Sequence, residues 1–470
     1  MNFKAISYYL GLFCFPISVL AFINILYSSY FDYFLSINSY LITLIVSFLT
    51  GSVLLFIGKK TEKRINFIEQ LLLIISVYLI ISIFISLPFY LSNYQVTFLN
   101  SLFESISGLT GTGFSIFSNI KYLDPTLILW RSSSQWIGGL YFLFFLILIF
   151  SNNQFRYKMN DLTYSVNGRT NTENNIKDLL LRIFILYSTL SFIIFLLLNI
   201  SQVRMFNSLN LSMSLISAGG FIPTDSLSKI IRSNPQKLIF ILSLLISMLN
   251  FFLILNIFQK RIIIREHKED FYLIILSICL ISLVYLNNYS GLNIIISVLS
   301  SLSNSGLSLI NSDNNLSLYF ILITIIGGSL ISNTSGIKFM RIYVLLKTAS
   351  SEMIKLISPN SIINKNILNS QKKITDDNIK ISFLIFISFF ISLFILSSFL
   401  VLDNIGFEKS FKLSILALTN TVNSEMYNLQ NINFANLLIS SKISLIIFMI
   451  IGKIELISIF LIFKKFFLKD

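Results

Sequence analysis

The chain has 470 residues, of which 55% are hydrophobic and only 12% are charged. A typical soluble domain carries about 25% charged residues, so a single soluble core cannot absorb this much apolar surface. The composition excludes a disordered chain, a collagen and a disulfide scaffold, and it predicts a polytopic membrane protein. The net charge of +14 is explained by cationic cytoplasmic loops, because no folded basic domain for nucleic acid is visible.

Few side chains are available for metal or nucleophile chemistry. Cys14 and Cys279 lie within apolar runs and are predicted to be packing residues, and the only histidine, His267, lies in a charged loop. With one histidine in a charged loop, the sequence lacks the residues for a histidine-ligated zinc site and for a Ser-His-Asp hydrolase. We therefore predict that the chain is not an enzyme and has no catalytic residues.

Ten apolar segments are long enough to span a bilayer, for which a helix needs about 20 residues. In chain order they are 7–28, 38–57, 66–90, 126–150, 178–200, 236–258, 271–287, 317–347, 381–402 and 436–463. The first has no cleavage site, which favours an anchor over a signal peptide. The predicted fold class is an all-α polytopic membrane protein with ten spanning helices.

Four shorter apolar segments lie between these spans, at 99–109, 205–215, 293–302 and 408–418. Basic residues cluster after the second, fourth, sixth and eighth spans and at the C-terminus, so with ten spans these loops share one side. The positive-inside rule makes that side cytoplasmic. Counting any short segment as a span would put basic loops on both sides, so we predict four re-entrant pore loops entering from the outside.

Each short segment ends in small or hydroxyl-bearing residues, and three of them continue into a glycine, at Gly113, Gly219 and Gly306. A dehydrated monovalent cation needs oxygen ligands, which backbone carbonyls supply where glycine permits unusual dihedral angles. Small residues also serve ordinary helix packing. Four such segments in register favour a cation filter.

With these motifs the sequence resembles the TrkH/KtrB/HKT superfamily of potassium transporters, which repeat a helix, a pore loop and a helix four times. Two extra N-terminal spans match its bacterial TrkH branch. The most specific similarities are Phe103 to Thr110, Gln135 to Gly139, Gly219 to Phe221, Ile326 to Gly328 with Thr334 to Lys338, and Gly452 to Glu455.

The resemblance implies a selectivity filter and a gate. The implied filter residues are Thr110, Gly111, Thr112, Gly113, Ile216, Ser217, Ala218, Gly219, Ser303, Asn304, Ser305, Gly306, Asn420, Thr421, Val422 and Asn423. The implied gate is an intramembrane loop in a broken eighth span, with Gly327, Gly328, Ser335 and Gly336, together with Lys453 as a positive element on the permeation path. The residues themselves support such a gate. The eighth span is long and has poor helix formers in its middle, and a lysine inside an apolar helix is a functional candidate.

The resemblance further implies potassium uptake, with the potassium ion as cargo and no organic cofactor on this chain. It implies a TrkA-like cytoplasmic nucleotide-binding regulatory subunit, a homodimer, and a multi-pass position in the bacterial inner membrane with both termini cytoplasmic. The expected organisation is two N-terminal spans in 1–58 and four pore units in 59–150, 151–258, 259–347 and 348–470.

Two alternatives stay open. Val422 stands where a filter glycine is expected, and a β-branched residue at positive φ is an outlier, so sodium or poorly selective cation transport by the same family is one alternative. The other is a secondary transporter of another fold, which would carry broken helices and buried acidic residues near the midplane.

Overall fold

The structure is a computed structural model that describes residues 2–31, 37–59, 61, 65–151, 173–258, 268–286, 291–310, 314–358, 366, 368, 373–429 and 432–454. Within these ranges the chain is α-helical and forms no strand. The α-helices are α1 (Phe3–Tyr30), α2 (Ile37–Gly58), α3 (Phe67–Tyr90), α4 (Phe98–Thr110), α5 (Pro125–Ser151), α6 (Glu173–Ile200), α7 (Met205–Ile216), α8 (Asn234–Met248), α9 (Phe251–Phe258), α10 (Lys268–Leu286), α11 (Leu292–Leu302), α12 (Asn314–Ile326), α13 (Phe339–Ile357), α14 (Asp376–Leu402), α15 (Phe407–Leu418) and α16 (Ile439–Ile454).

Seven of the described helices are long and apolar enough to cross a membrane, namely α1, α2, α3, α5, α6, α10 and α14. Their outward faces carry exposed apolar side chains, such as Phe56, which is 82% exposed. Many exposed apolar side chains on long apolar helices are typical of a surface that faces lipid. The chain is therefore a multi-pass membrane protein.

The predicted span 236–258 consists of two helices and not of one continuous helix. Helices α8 and α9 meet at an angle of 106°. Leu249 adopts an extended conformation, and the side-chain oxygen of Asn250 accepts a hydrogen bond of 2.9 Å from the backbone of Phe252. Asn250 thus ends one helix and caps the next.

The eighth predicted span is interrupted between Ile326 and Phe339. Helix α13 continues to Ile357, past the expected unit boundary at 347. The last predicted span is described as far as Ile454, and the remainder of that span and His267 lie outside the described residues.

Four short helices each pack between two longer elements, α4 between α3 and α5, α7 between α6 and α8, α11 between α10 and α12, and α15 between α14 and α16. Neighbouring groups touch through α5 and α7, α8 and α11, α12 and α15, and α16 and α4. The four groups therefore close a ring in chain order, in which the second lies opposite the fourth. Helices α1 and α2 pack together outside the ring, where α1 contacts α3 and α5.

Candidate functional site

The four short helices end in the same conformation. One residue near each C-terminus is left-handed, and these residues are Gly111 (φ 80°), Ala218 (φ 54°), Asn304 (φ 60°) and Asn420 (φ 49°). A left-handed residue ends a helix and turns the chain away from the helix axis. The shared conformation makes these four positions structurally equivalent.

Hydrogen bonds support the same register. Paired hydroxyl groups stand on either side of the left-handed residue, at Thr110 and Thr112 (2.8 Å), at Ser303 and Ser305 (3.2 Å), and at Thr419 and Thr421 (2.9 Å). In each segment a backbone N–H after the left-handed residue donates to the carbonyl oxygen four residues before that residue, at Ser107, Ser214, Ser300 and Leu416. The donor is the second residue after the left-handed one in the first and third segments and the first residue after it in the other two. Counted from the left-handed residue, Gly113 is equivalent to Gly220, Gly306 and Val422.

Counted in this register, the equivalent stretches in the second and fourth segments differ by one residue from the predicted filter ranges. Ile216 to Gly219 becomes Ser217 to Gly220, because Ile216 still belongs to the last turn of α7. Asn420 to Asn423 becomes Thr419 to Val422, so that Asn423 lies beyond the equivalent stretch. The ranges Thr110 to Gly113 and Ser303 to Gly306 keep their predicted positions. The turn itself uses glycine in the first segment and alanine or asparagine in the others.

The four segments meet in one ring. A Cβ atom placed on Gly113 would lie 2.9 Å from the Cα of Gly220 and 3.1 Å from the Cβ of Val422. One placed on Gly220 would lie 3.0 Å from the carbonyl oxygen of Ser305, and one on Gly306 would lie 2.8 Å from that of Val422. These approaches leave no room for a side chain at the three glycines.

Val422 supplies the one side chain in this ring. The φ angle of Val422 is not positive, so this β-branched residue is not the backbone outlier that the sequence led us to expect. Its Cγ1 atom lies 2.9 Å from a Cβ placed on Gly306, and its side chain would overlap one placed on Gly220, in the opposite unit. The isopropyl group therefore reaches across the ring and narrows it.

The predicted Gln135 to Gly139 motif braces the first two segments from behind. The side-chain oxygen of Gln135 accepts hydrogen bonds from the hydroxyl of Ser214 (2.9 Å) and from the backbone N–H of Phe221 (3.1 Å). A Cβ on Gly138 would overlap the carbonyl oxygen of Leu109. Glycine here lets α5 approach the end of α4 at backbone contact distance.

A buried ion pair also joins the first two segments. Glu104 of α4 accepts a hydrogen bond of 2.8 Å from Arg131 Nε and another of 2.8 Å from the backbone of Ile116. The guanidinium group of Arg131 lies 4.1 Å from the ring centroid of Phe221. The sequence gave no signal that Arg131 would be the partner of Glu104.

On one side of the ring, side-chain amides cross-link neighbouring elements. Asn304 Nδ2 donates to the carbonyl oxygen of Thr324 (2.8 Å), and Asn420 Nδ2 donates to the hydroxyl of Thr112 (3.0 Å). Asn333, in the loop between α12 and α13, donates to the carbonyl oxygen of Ile216 (2.7 Å). This loop therefore touches the end of the second segment directly, and sequence reasoning had not singled out Asn333.

Lys453 lies on the same side. Its ammonium group donates to the carbonyl oxygen of Asn333 (3.0 Å) and lies 4.5 Å from the ring centroid of Phe142. It also lies 3.8 Å from a Cβ placed on Gly111. The predicted cationic residue is thus buried, only 3% exposed, between the loop and the inner end of the first segment.

The other predicted gate residues form a tight turn in this loop. Gly327 and Gly336 have φ of 69° and 79°, which glycine adopts without strain. A Cβ on Gly327 would overlap the carbonyl oxygen of Ser335, and the N–H of Gly328 donates to the hydroxyl of Thr334 (2.9 Å). The ammonium group of Lys338 folds back onto the carbonyl oxygen of Thr334 and fastens the turn.

On the opposite side of the ring lies an open cavity of about 810 Å³, bounded by Gly113, Gly220 and Val422 and by the carboxylates of Asp225 and Glu425. Partial burial raises the pKa of Asp225, but an ion pair with Lys229 and backbone hydrogen bonds from Lys121 and Ile120 outweigh it, and the pKa is lowered. Among the described residues no group of three His, Cys, Asp or Glu side chains could hold a metal ion.

No family model matches the chain. Among curated proteins it is 26% identical over 424 residues to an uncharacterized cation transporter of Methanocaldococcus jannaschii, covering 83% of this chain and 81% of that protein. It is 22% identical over 461 residues to the Trk system potassium uptake protein TrkG of Escherichia coli K12, covering 92% of each chain. Among solved structures, the crystal structure of the potassium transporter TrkH from Vibrio parahaemolyticus matches with a TM-score of 0.87 and 19% identity, covering 98% of both chains.

The chain has the fold of a polytopic α-helical membrane protein, and the relatives are named as transporters and not as enzymes. Over most of its length it is similar to Trk potassium uptake proteins, and its fold matches that of the potassium transporter TrkH. The alternative of a secondary transporter with another fold is wrong, because the TrkH fold extends over the whole chain.

Proposed function

We propose that the chain takes up potassium across a bacterial inner membrane through a filter lined by backbone carbonyl groups. The observation that carries this proposal is the ring of four structurally equivalent segments, in which three glycines allow close backbone approach. Carbonyl oxygens held in a ring replace the hydration shell of a monovalent cation. The potassium-transporter names of the curated relatives support potassium as the cargo.

The filter residues of this proposal are Thr110 to Gly113, Ser217 to Gly220, Ser303 to Gly306 and Thr419 to Val422. The short helices before them are the re-entrant parts of four pore units, and ten spans place both termini in the cytoplasm. The expected division into 1–58, 59–150, 151–258, 259–347 and 348–470 is retained as a proposal, with the fourth part extended to Ile357 because α13 continues to that residue.

The loop between α12 and α13 is the proposed gate. It is supported by the contact of Asn333 with Ile216 and by the ammonium group of Lys453 beside it. A buried positive charge at the inner end of the filter opposes the passage of a cation. A TrkA-like nucleotide-binding subunit on the cytoplasmic side is proposed to move this loop, and the transporter is proposed to be a homodimer with one pore per chain.

Val422 favours a second candidate, a sodium-permeable or poorly selective transporter of the same family. Val422 stands at the position of the fourth segment where the other three segments have glycine, and its side chain narrows the ring. A narrower and less regular ring coordinates potassium less evenly and lowers discrimination between potassium and sodium.

Growth and flux assays test the proposal. Expression should restore growth at low potassium to a cell without its own potassium uptake, and the purified chain in liposomes should carry rubidium. Rubidium flux that greatly exceeds sodium flux supports potassium uptake, and comparable fluxes support the second candidate. Absence of both growth rescue and cation flux would refute the proposal.

A further inference from the structure

Two adjacent acidic residues, Glu269 and Asp270, are buried in the first turn of α10. Glu269 is 7% exposed and Asp270 is 2% exposed. Ionisable side chains at such depth are expensive and need specific partners. Neither residue belongs to the filter or to the predicted gate, so their position needs another reason.

The two carboxylates bind backbone N–H groups from two different helix interruptions. Glu269 Oε1 accepts a hydrogen bond of 2.8 Å from Leu330, in the loop between α12 and α13. Asp270 Oδ1 accepts one of 2.9 Å from Asn250, at the break between α8 and α9. One helical turn thus satisfies backbone donors at both places where a span is interrupted.

The two interruptions are also bonded to each other. The N–H of Phe251 donates to the carbonyl oxygen of Ile331, and the N–H of Ser329 donates to that of Met248, each at 3.0 Å. With the two carboxylate bonds, these contacts fasten one side of the loop to the second unit and to α10. The break in α8 and α9 therefore has a role, because a continuous helix there would expose no free N–H and no free carbonyl group to the loop.

Two buried cations lie close to this anchor. Lys338 and Arg341, which follow the loop, interact electrostatically with Glu269. They are only 2% and 1% exposed. Removing the Glu269 carboxylate therefore takes a negative charge away from two buried cations beside the loop.

The opposite side of the same loop faces the filter. Asn333 lies three residues after Leu330. Its side-chain amide donates to the carbonyl oxygen of Ile216, and its own carbonyl oxygen accepts a hydrogen bond from the ammonium group of Lys453. The position of residues 329–331 therefore sets the position of Asn333 under the ring. We propose that Glu269 and Asp270 are positioning residues that hold the loop in its obstructing place. This inference depends on the proposed function, because it assigns an anchor to the proposed gate.

Removing the Glu269 carboxylate should release the loop without touching the filter. In liposomes with the full chain, Glu269→Ala should raise rubidium flux about tenfold. Losing one hydrogen bond to a charged group shifts the equilibrium between the obstructing and the released loop by about this factor. The ratio of rubidium to sodium permeability should stay at the wild-type value. Glu269→Gln keeps an oxygen that accepts from Leu330, so its flux should stay close to wild type.

Amide hydrogen exchange of residues 327–336 gives a readout that is independent of transport. Exchange should be faster in Glu269→Ala than in wild type and close to wild type in Glu269→Gln. The matched control is Asp376→Ala, since Asp376 is an exposed acid in the first turn of α14 and should change neither measurement. If Glu269→Ala does not fold, Glu269→Asp, whose shorter side chain withdraws the acceptor, replaces it in both assays.

A folded Glu269→Ala or Glu269→Asp variant with wild-type loop exchange and wild-type or reduced flux would overturn the inference. A wild-type chain without cation flux would refute the proposed function instead. In that event the exchange measurement still tests whether the carboxylate anchors the loop.

Discussion

Replacing Lys453 with methionine removes the buried charge at the inner end of the filter and keeps most of the aliphatic side chain against Phe142. The ammonium group lies 3.8 Å from a Cβ placed on Gly111, and we take about 5 Å as its separation from a cation at this end of the filter. At that distance and an effective dielectric constant of about 20, Coulomb's law gives a repulsion of about 3 kcal/mol. If this repulsion adds to the barrier, its loss should raise flux by about a hundredfold.

Rubidium flux into liposomes measures this change directly. Lys453→Arg keeps the charge and should stay near wild type. Lys442→Met is the matched control, because Lys442 lies in the same helix and binds Asn100 and Ala435, away from the inner end of the filter. Equal flux in wild type and Lys453→Met, with both proteins folded, would refute the electrostatic account of the gate.

Three further predictions concern the ring, its support and the cavity. Val422→Gly should remove the side chain that crosses the ring and raise both rubidium flux and the preference for rubidium over sodium; unchanged values in the liposome assay would mean that Val422 does not narrow the path. Gly452→Ala should lower stability by about 1–3 kcal/mol through overpacking, because its Cβ would overlap the carbonyl oxygen of Leu418; a thermal unfolding curve identical to wild type would contradict this. The lowered pKa of Asp225 contributes stability that is present above its ordinary value of 3.8 and is lost as pH falls through the lower folded value. Asp225→Asn should therefore lower the melting temperature at pH 6, and the melting temperature of this variant should fall less than that of wild type between pH 6 and pH 3. Parallel pH profiles of the melting temperature for the two proteins would contradict the contribution of the Asp225 carboxylate to stability.

The sequence predicted the long helices well because apolar length is a strong and local signal. The short helices were also predicted to within a residue or two, since apolar runs of about ten residues end in recognisable small residues. The break at Asn250 was missed, because it contains neither glycine nor proline and depends on the distant Asp270. Such tertiary hydrogen bonds leave no mark on local composition.

The filter register shows the same limit at finer scale. Glycine is a visible marker of unusual backbone, so the predicted ranges that end at Gly113 and Gly306 agree with the register of the left-handed residues. In the second and fourth segments the left-handed position is Ala218 and Asn420, which pattern reasoning does not expect to be equivalent to Gly111. The left-handed backbone and the hydrogen bond that returns to the residue four positions earlier, both seen only in three dimensions, align them.

The loop beneath the ring could be predicted as an interruption but not as a set of contacts. Gly327 and Gly336 identified it, and Lys453 was conspicuous as a charge in an apolar helix. Asn333, which links that charge to the second segment, is one of many asparagines in a chain rich in this residue. Its importance follows from position alone.

The most direct test of the central claim is a crystal of the full chain grown in rubidium and measured at the rubidium absorption edge. The account predicts anomalous peaks on the axis of the ring, between the carbonyl oxygens of Thr110 to Gly113, Ser217 to Gly220, Ser303 to Gly306 and Thr419 to Val422. Rubidium bound elsewhere in the membrane region, with no peak on this axis, would contradict it.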